Sequence, residues 1–198
     1  LSICAAAALY ALYLRLPVIL IDRALGGRAA GWYNAALQII CVAWWLRGAV
    51  SMAILAPFAQ LATKDRDTFR KQYRRLAWVM AGVGAALAGM TIWAAEWIIS
   101  ILYSQGFAPS GYILRILAGG LPIAFASAVL LQALLATGRQ GAVMRAVVIS
   151  LAIYLGCVGA LQITQSFSIM TAAGATVIAE AALLFQYILA VQRPEQEK

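Results

Sequence analysis

Histidine is absent from this chain of 198 residues. That excludes Ser-His-Asp triads, histidine zinc sites and most histidine acid–base schemes. Charge is scarce too: 11% of residues are Asp, Glu, Lys or Arg, against roughly 25% in a soluble domain. So few charges cannot cover a soluble surface of this size. Cysteine is limited to Cys4, Cys41 and Cys157, far apart in separate apolar runs. They suit small buried side chains better than a disulfide set. HExxH, a P-loop, GxSxG and a paired-aspartate cluster in a membrane helix are all missing. The expectation is therefore a protein that is not an enzyme and takes no metal or cofactor.

What the chain has is apolar residues: 64% are hydrophobic and the mean hydropathy is +0.87. It reads as an integral membrane protein. The net charge of +8 is then a matter of loop placement rather than a nucleic-acid footprint, and no nucleic-acid partner is expected. The apolar runs do not alternate as barrel strands would. A spanning helix needs about 20 mostly apolar residues, and six runs qualify: 1–21, 32–61, 76–102, 112–137, 142–162 and 169–191. The fold class expected is all-α, with residues 1–191 forming one six-helix transmembrane lobe and 192–198 a polar tail. No basic region precedes the first run and no small-residue cleavage site follows it, so it reads as a span rather than a signal peptide. The chain is expected to be the C-terminal part of a longer protein.

Lysine and arginine mark cytoplasmic loops. The segment "KDRDTFRKQYRRL" (64–76) is expected to be a loop after the second span, and Arg139 and Arg145 lie after the fourth. Arg193 and Lys198 follow the sixth. On alternate sides only Arg23 and Arg28 occur, between the first two spans. Both ends are therefore expected in the cytoplasm. The basic segment reads first as a topology signal, with an anionic-lipid site as the other reading.

Counting 1.5 Å per helical residue, Arg15 falls in the outer half of the first span and Arg47 near the middle of the second. Glu96 and Arg115 lie toward the outer ends of the third and fourth, and Glu180 near the middle of the sixth. A central charge costs about 2.5–3.5 kcal/mol on insertion scales, so these groups should face one another, a wet cavity or a ligand. Arg15, Arg47 and Arg115 are candidate substrate-binding residues, because a guanidinium fork suits phosphate and stays charged. Glu180 is the ion-coupling candidate. The structural alternatives are snorkelling for Arg115 and Glu96, pairing of Arg15 or Arg47 with Glu180 or Asp22, and hydrogen bonds to carbonyls of a broken helix. Trp44 and Trp45 could stack on a sugar or on the Arg47 guanidinium, or simply pack. Gly82, Gly84, Gly89, Gly119 and Gly120 permit close approach or bending.

The stretch "YLRLPVILIDRALGGRAAGWYNAALQI" resembles the start of the C-terminal lobe in polysaccharide and O-antigen flippases of the MOP exporter superfamily. The matching residues are Arg15, Gly26, Gly31, Tyr33 and Ala36; Pro17 stands where the family often has Asp. "SMAILAPFAQL" before a basic segment is similar too, as is "AAEWIISILYSQGFAPSGYILRILAGGLPIAF". Residues matching there and just beyond are Leu102, Tyr103, Phe107, Ser110, Leu114, Leu117, Ala136 and Gly138. The resemblance implies a MATE-like fold of two six-helix lobes around a central cavity, of which this chain supplies spans seven to twelve. It implies a flippase for undecaprenyl-diphosphate-linked oligosaccharide in the bacterial cytoplasmic membrane, working by alternating access. The expected partners are that lipid-linked diphosphate, membrane lipids, the N-terminal lobe of the same protein and a polysaccharide polymerase. A multidrug/cation antiporter or lipid II flippase of the same fold is the alternative. From another class, a non-transporting membrane assembly subunit is the alternative, with its arginines paired structurally.

Overall fold

The computed structural model describes residues 15–192, and every regular element in them is helical. Helix α1 covers 15–25. It is followed by α2 (Gly27–Lys64), α3 (Arg66–Leu102), a short 3₁₀ turn (Gln105–Phe107), α4 (Ser110–Ala118), α5 (Leu121–Ala136), α6 (Gln140–Ile163) and α7 (Ile169–Gln192). Four of these are long and apolar enough to cross a membrane, and five spans result if α4 and α5 count as one bent crossing. Most of the expected first span, residues 1–14, lies outside the described residues, as do 193–198 of the expected tail.

Local chemistry sets the breaks. Gly26 takes φ +86° between α1 and α2, a left-handed conformation that a side chain resists. The basic segment expected as a loop is instead helical. Asp65 alone separates α2 from α3, with extended backbone at φ −151° and ψ 102°. Its carboxylate accepts hydrogen bonds from the Asp67 and Thr68 amides at 3.0 and 3.1 Å, so α3 begins with a satisfied cap. The 38 residues of α2 extend about 57 Å, nearly twice a ~30 Å hydrocarbon core. The basic ends of α2 and α3 can therefore stay helical while standing outside the apolar layer. The α2 helix also continues through Pro57.

The second departure is the expected span 112–137. It is two helices, α4 and α5, meeting at 43°. Pro122 sits in the first turn of α5 and has no N–H for the Ala118 carbonyl, so the ladder stops there. Gly119 and Gly120 fill the corner, and the Gly120 amide donates to Leu117 O at 3.0 Å.

Helix α5 is the centre of the bundle, packed on α3, α2 and α7, while α6 leans on α7. Tyr33, Ile113, Leu114, Phe125 and Leu134 are buried in the main core. A smaller cluster of Tyr154, Val158, Ala175 and Ala179 joins α6 to α7. Around this core the outer faces are apolar: Trp45, Met52, Trp78, Trp93 and Trp97 are all well exposed. Apolar exposure on that scale is a surface made for lipid or for another membrane segment. The described residues thus form a multi-pass helical membrane protein.

Candidate functional site

Polar and charged side chains of α2 and α7 approach one another and α5 where these three helices meet. On α7, Thr176 and Glu180 are one helical turn apart and share a face. Both are buried, Glu180 to 4% exposure. The Tyr33 hydroxyl of α2 and Thr176 Oγ1 lie 3.0 Å apart in a buried hydrogen bond, and Thr176 Oγ1 also donates to Ala172 O in its own helix at 3.1 Å. A turn deeper, neither carboxylate oxygen of Glu180 has a hydrogen-bond partner among the described residues. A buried carboxylate in that state is costly, and three features bear on it.

The first is Arg47, which makes its contacts on α5 and Trp44 beside the carboxylate's void. Arg47 is half-buried and reaches across from α2: its Nη1 donates to Ala124 O on α5 at 3.2 Å. The guanidinium carbon stands 5.8 Å from the centroid of the Trp44 ring, a cation–π distance. The second feature is the helix break. Gly120, Leu121 and Ala124, at the amino end of α5, line a small void together with Thr176 and Glu180. The positive end of the α5 dipole is thus placed toward the carboxylate. The third is the void itself, about 20 Å³, room for one water molecule.

The candidate residues divide accordingly. Arg47 and Glu180 address the same region: Arg47 bonds Ala124 O and stands over Trp44, and Ala124 and Trp44 line the void with Glu180. Arg15 is exposed at the start of the described helix and acts electrostatically on Cys41 of α2; no contact joins it to the seam among the described residues. Arg115 goes elsewhere: its Nη2 lies 2.9 Å from Glu96 Oε1, and its guanidinium carbon stands 5.7 Å from the Tyr112 ring centroid. That ion pair ties α4 to α3. The carbonyl alternative for Arg47 is also observed, since Ala124 lies in the first turn after the break.

Thr176 was not legible as a site residue, although its spacing of four from Glu180 is a usable signal. The role of Ala124 could not have been read at all, because the contact is made by its backbone.

Neither family models, nor curated proteins, nor solved structures give a match to the chain. What the fold and site define is a class: a multi-pass, all-helical membrane protein with an arginine and a carboxylate held between its helices.

Proposed function

We propose that this chain is one lobe of a flippase that moves an undecaprenyl-diphosphate-linked oligosaccharide across the bacterial cytoplasmic membrane. Support comes from the resemblance to polysaccharide flippases and from one structural observation: Arg47 and the buried Glu180 both approach Ala124, in the first turn after a break between helices. Ionisable groups inside a membrane are expensive and are expected at substrate or ion pathways. Broken helices at the midplane are a recurrent way of building such pathways in transporters.

In this reading a second, N-terminal lobe supplies the opposite wall of the cavity, and both ends of this segment face the cytoplasm. Arg47, with Arg15 toward one end, takes the diphosphate by bidentate hydrogen bonds. Glu180 is the group that binds the coupling proton or sodium ion, which alters the field on Arg47. Arg115 meets the passenger only by leaving Glu96. Alternating access comes from rocking one lobe against the other.

The test is complementation with the whole protein carrying Arg15→Ala or Arg47→Ala, reading surface polysaccharide alongside protein abundance. Loss of polysaccharide at normal abundance is expected. Normal polysaccharide at normal abundance in both variants would remove the cavity role.

A second reading, a non-transporting assembly subunit, is favoured by the intramolecular ties of Arg47 to Ala124 O and of Arg115 to Glu96. It expects Arg47→Ala to lower abundance and polysaccharide in parallel.

A further inference from the structure

A groove of about 570 Å³ runs between α3, α5 and α7 and shares no lining residue with the void beside Glu180. Its volume lies within the range of about 300–1,000 Å³ usual for ligand pockets. The polar side chains lining it, Arg70, Tyr73, Arg74 and Gln192, all sit at the end where α3 begins and α7 stops. From there inward the walls are apolar, with Trp78 and Leu184 on the way and Ala81 and Pro122 at the far end. Arg70 and Ala81 are eleven residues apart, about 16 Å along the helix and half of a ~30 Å hydrocarbon core. The groove is therefore about as long as one leaflet of the hydrocarbon core is deep. Among the described residues no acidic side chain lines it.

We infer that this groove binds a single anionic phospholipid of the leaflet at the basic end, with the phosphate on Arg70 and Arg74 and an acyl chain along the wall toward Pro122. Charge complementarity and polarity select this occupant. The two arginines are one turn apart on the same face and so address one phosphate together. A second protein helix would leave both guanidinium groups without a counter-charge unless it brought acid of its own. A free phosphate would leave the apolar length of the groove bare. The inference is independent of the flippase reading, since it needs only that the helices span a membrane.

Native mass spectrometry of the purified protein in micelles, titrated with phosphatidylglycerol or phosphatidylcholine, tests it. The expected result is one tightly held phosphatidylglycerol, bound more strongly than phosphatidylcholine. Two arginines near a headgroup contribute about 10- to 30-fold. Arg70→Gln/Arg74→Gln should abolish that preference. Lys71→Gln/Arg75→Gln, which removes equal charge from exposed positions off the groove, should keep it. Ala126→Trp, which fills the groove without altering charge, should weaken binding of both lipids. Equal loss in the two double variants would show diffuse surface attraction and overturn the site. So would equal binding of both lipids by the parent protein, full binding by the Ala126→Trp protein, or displacement of the lipid by inorganic phosphate at matched ionic strength.

Discussion

Gly84 of α3 lies directly against Leu121 of α5. A Cβ added to Gly84 would stand 2.8 Å from the Leu121 carbonyl oxygen and 2.8 Å from Cα of Pro122. Only a glycine lets the two backbones come this close, and the contact falls in the first turn after the α4–α5 break. The α3–α5 packing and the position of the break therefore depend on one another.

Gly84→Ala should force the two helices apart, because the obstacle is backbone rather than a flexible side chain. Overpacking of this kind costs about 1–3 kcal/mol. Gly82→Ala in the same helix meets nothing within 4 Å and should leave stability unchanged or slightly higher. Unfolding midpoints of both variants in the same micelles decide the matter, and equal midpoints would show that the contact carries no strain.

The bond between Tyr33 and Thr176 joins α2 to α7 within the core. Interhelical hydrogen bonds in membranes average about 0.6 kcal/mol by double-mutant cycles. Tyr33→Phe combined with Thr176→Val should show coupling of that size, measured by reversible unfolding. A coupling indistinguishable from zero would mean that the Tyr33–Thr176 bond adds nothing to stability.

Arg115 and Glu96 are 36% and 67% exposed, so water and headgroups screen their attraction. Removing either partner by Arg115→Gln or Glu96→Gln should cost less than about 1 kcal/mol, and the cost should shrink further in high salt. A larger loss in thermal denaturation would place this pair in a drier environment than its exposure indicates.

Arg47→Gln and Glu180→Gln should not be additive. Contacting or coupled charges show interaction energies of about 0.5–3 kcal/mol. The double variant should therefore be more stable than the sum of the single losses predicts. Strict additivity would separate the two groups energetically.

Asp65 gives a pH prediction. The Thr68 hydroxyl, the Thr68 amide and the Asp67 amide bond its carboxylate and hold the group below the usual aspartate range. A group lowered on folding contributes stability that is complete above its unfolded value, about 3.9. That contribution is lost as pH falls through the lower folded value. Amide hydrogen exchange at Asp67 and Thr68 should accelerate below about pH 4 relative to an Asp65→Asn variant. Asparagine can cap without titrating in this range. Identical pH profiles would dissociate the cap from the charge.

Much of this architecture follows from local sequence. Histidine poverty, long apolar runs and the grouping of Lys and Arg are properties of neighbouring residues. Transfer free energy adds up along a helix regardless of what lies beside it. The same local reading placed Arg47 and Glu180 at mid-depth. It misjudged the segment 64–76 because a loop and a helix end standing outside the membrane have the same composition. The capping power of Asp65 and the length of α2 and α3 decided between them. It also ran 112–137 as one helix, although Gly119, Gly120 and Pro122 together carry the signal for a break.

What only the tertiary structure decided is partnership. Arg47 and Ala124 are 77 residues apart, and the acceptor is a backbone carbonyl that every residue type possesses. The choice of Glu96 for Arg115 over any other carboxylate, and the groove with arginines at one end, likewise arise from how helices pack. Close packing depends on shape at single contacts such as Gly84 on Leu121, whereas hydropathy averages over a whole span. The sequence therefore determined that these charges would lie on long apolar helices, and the packing determined which partners they would find.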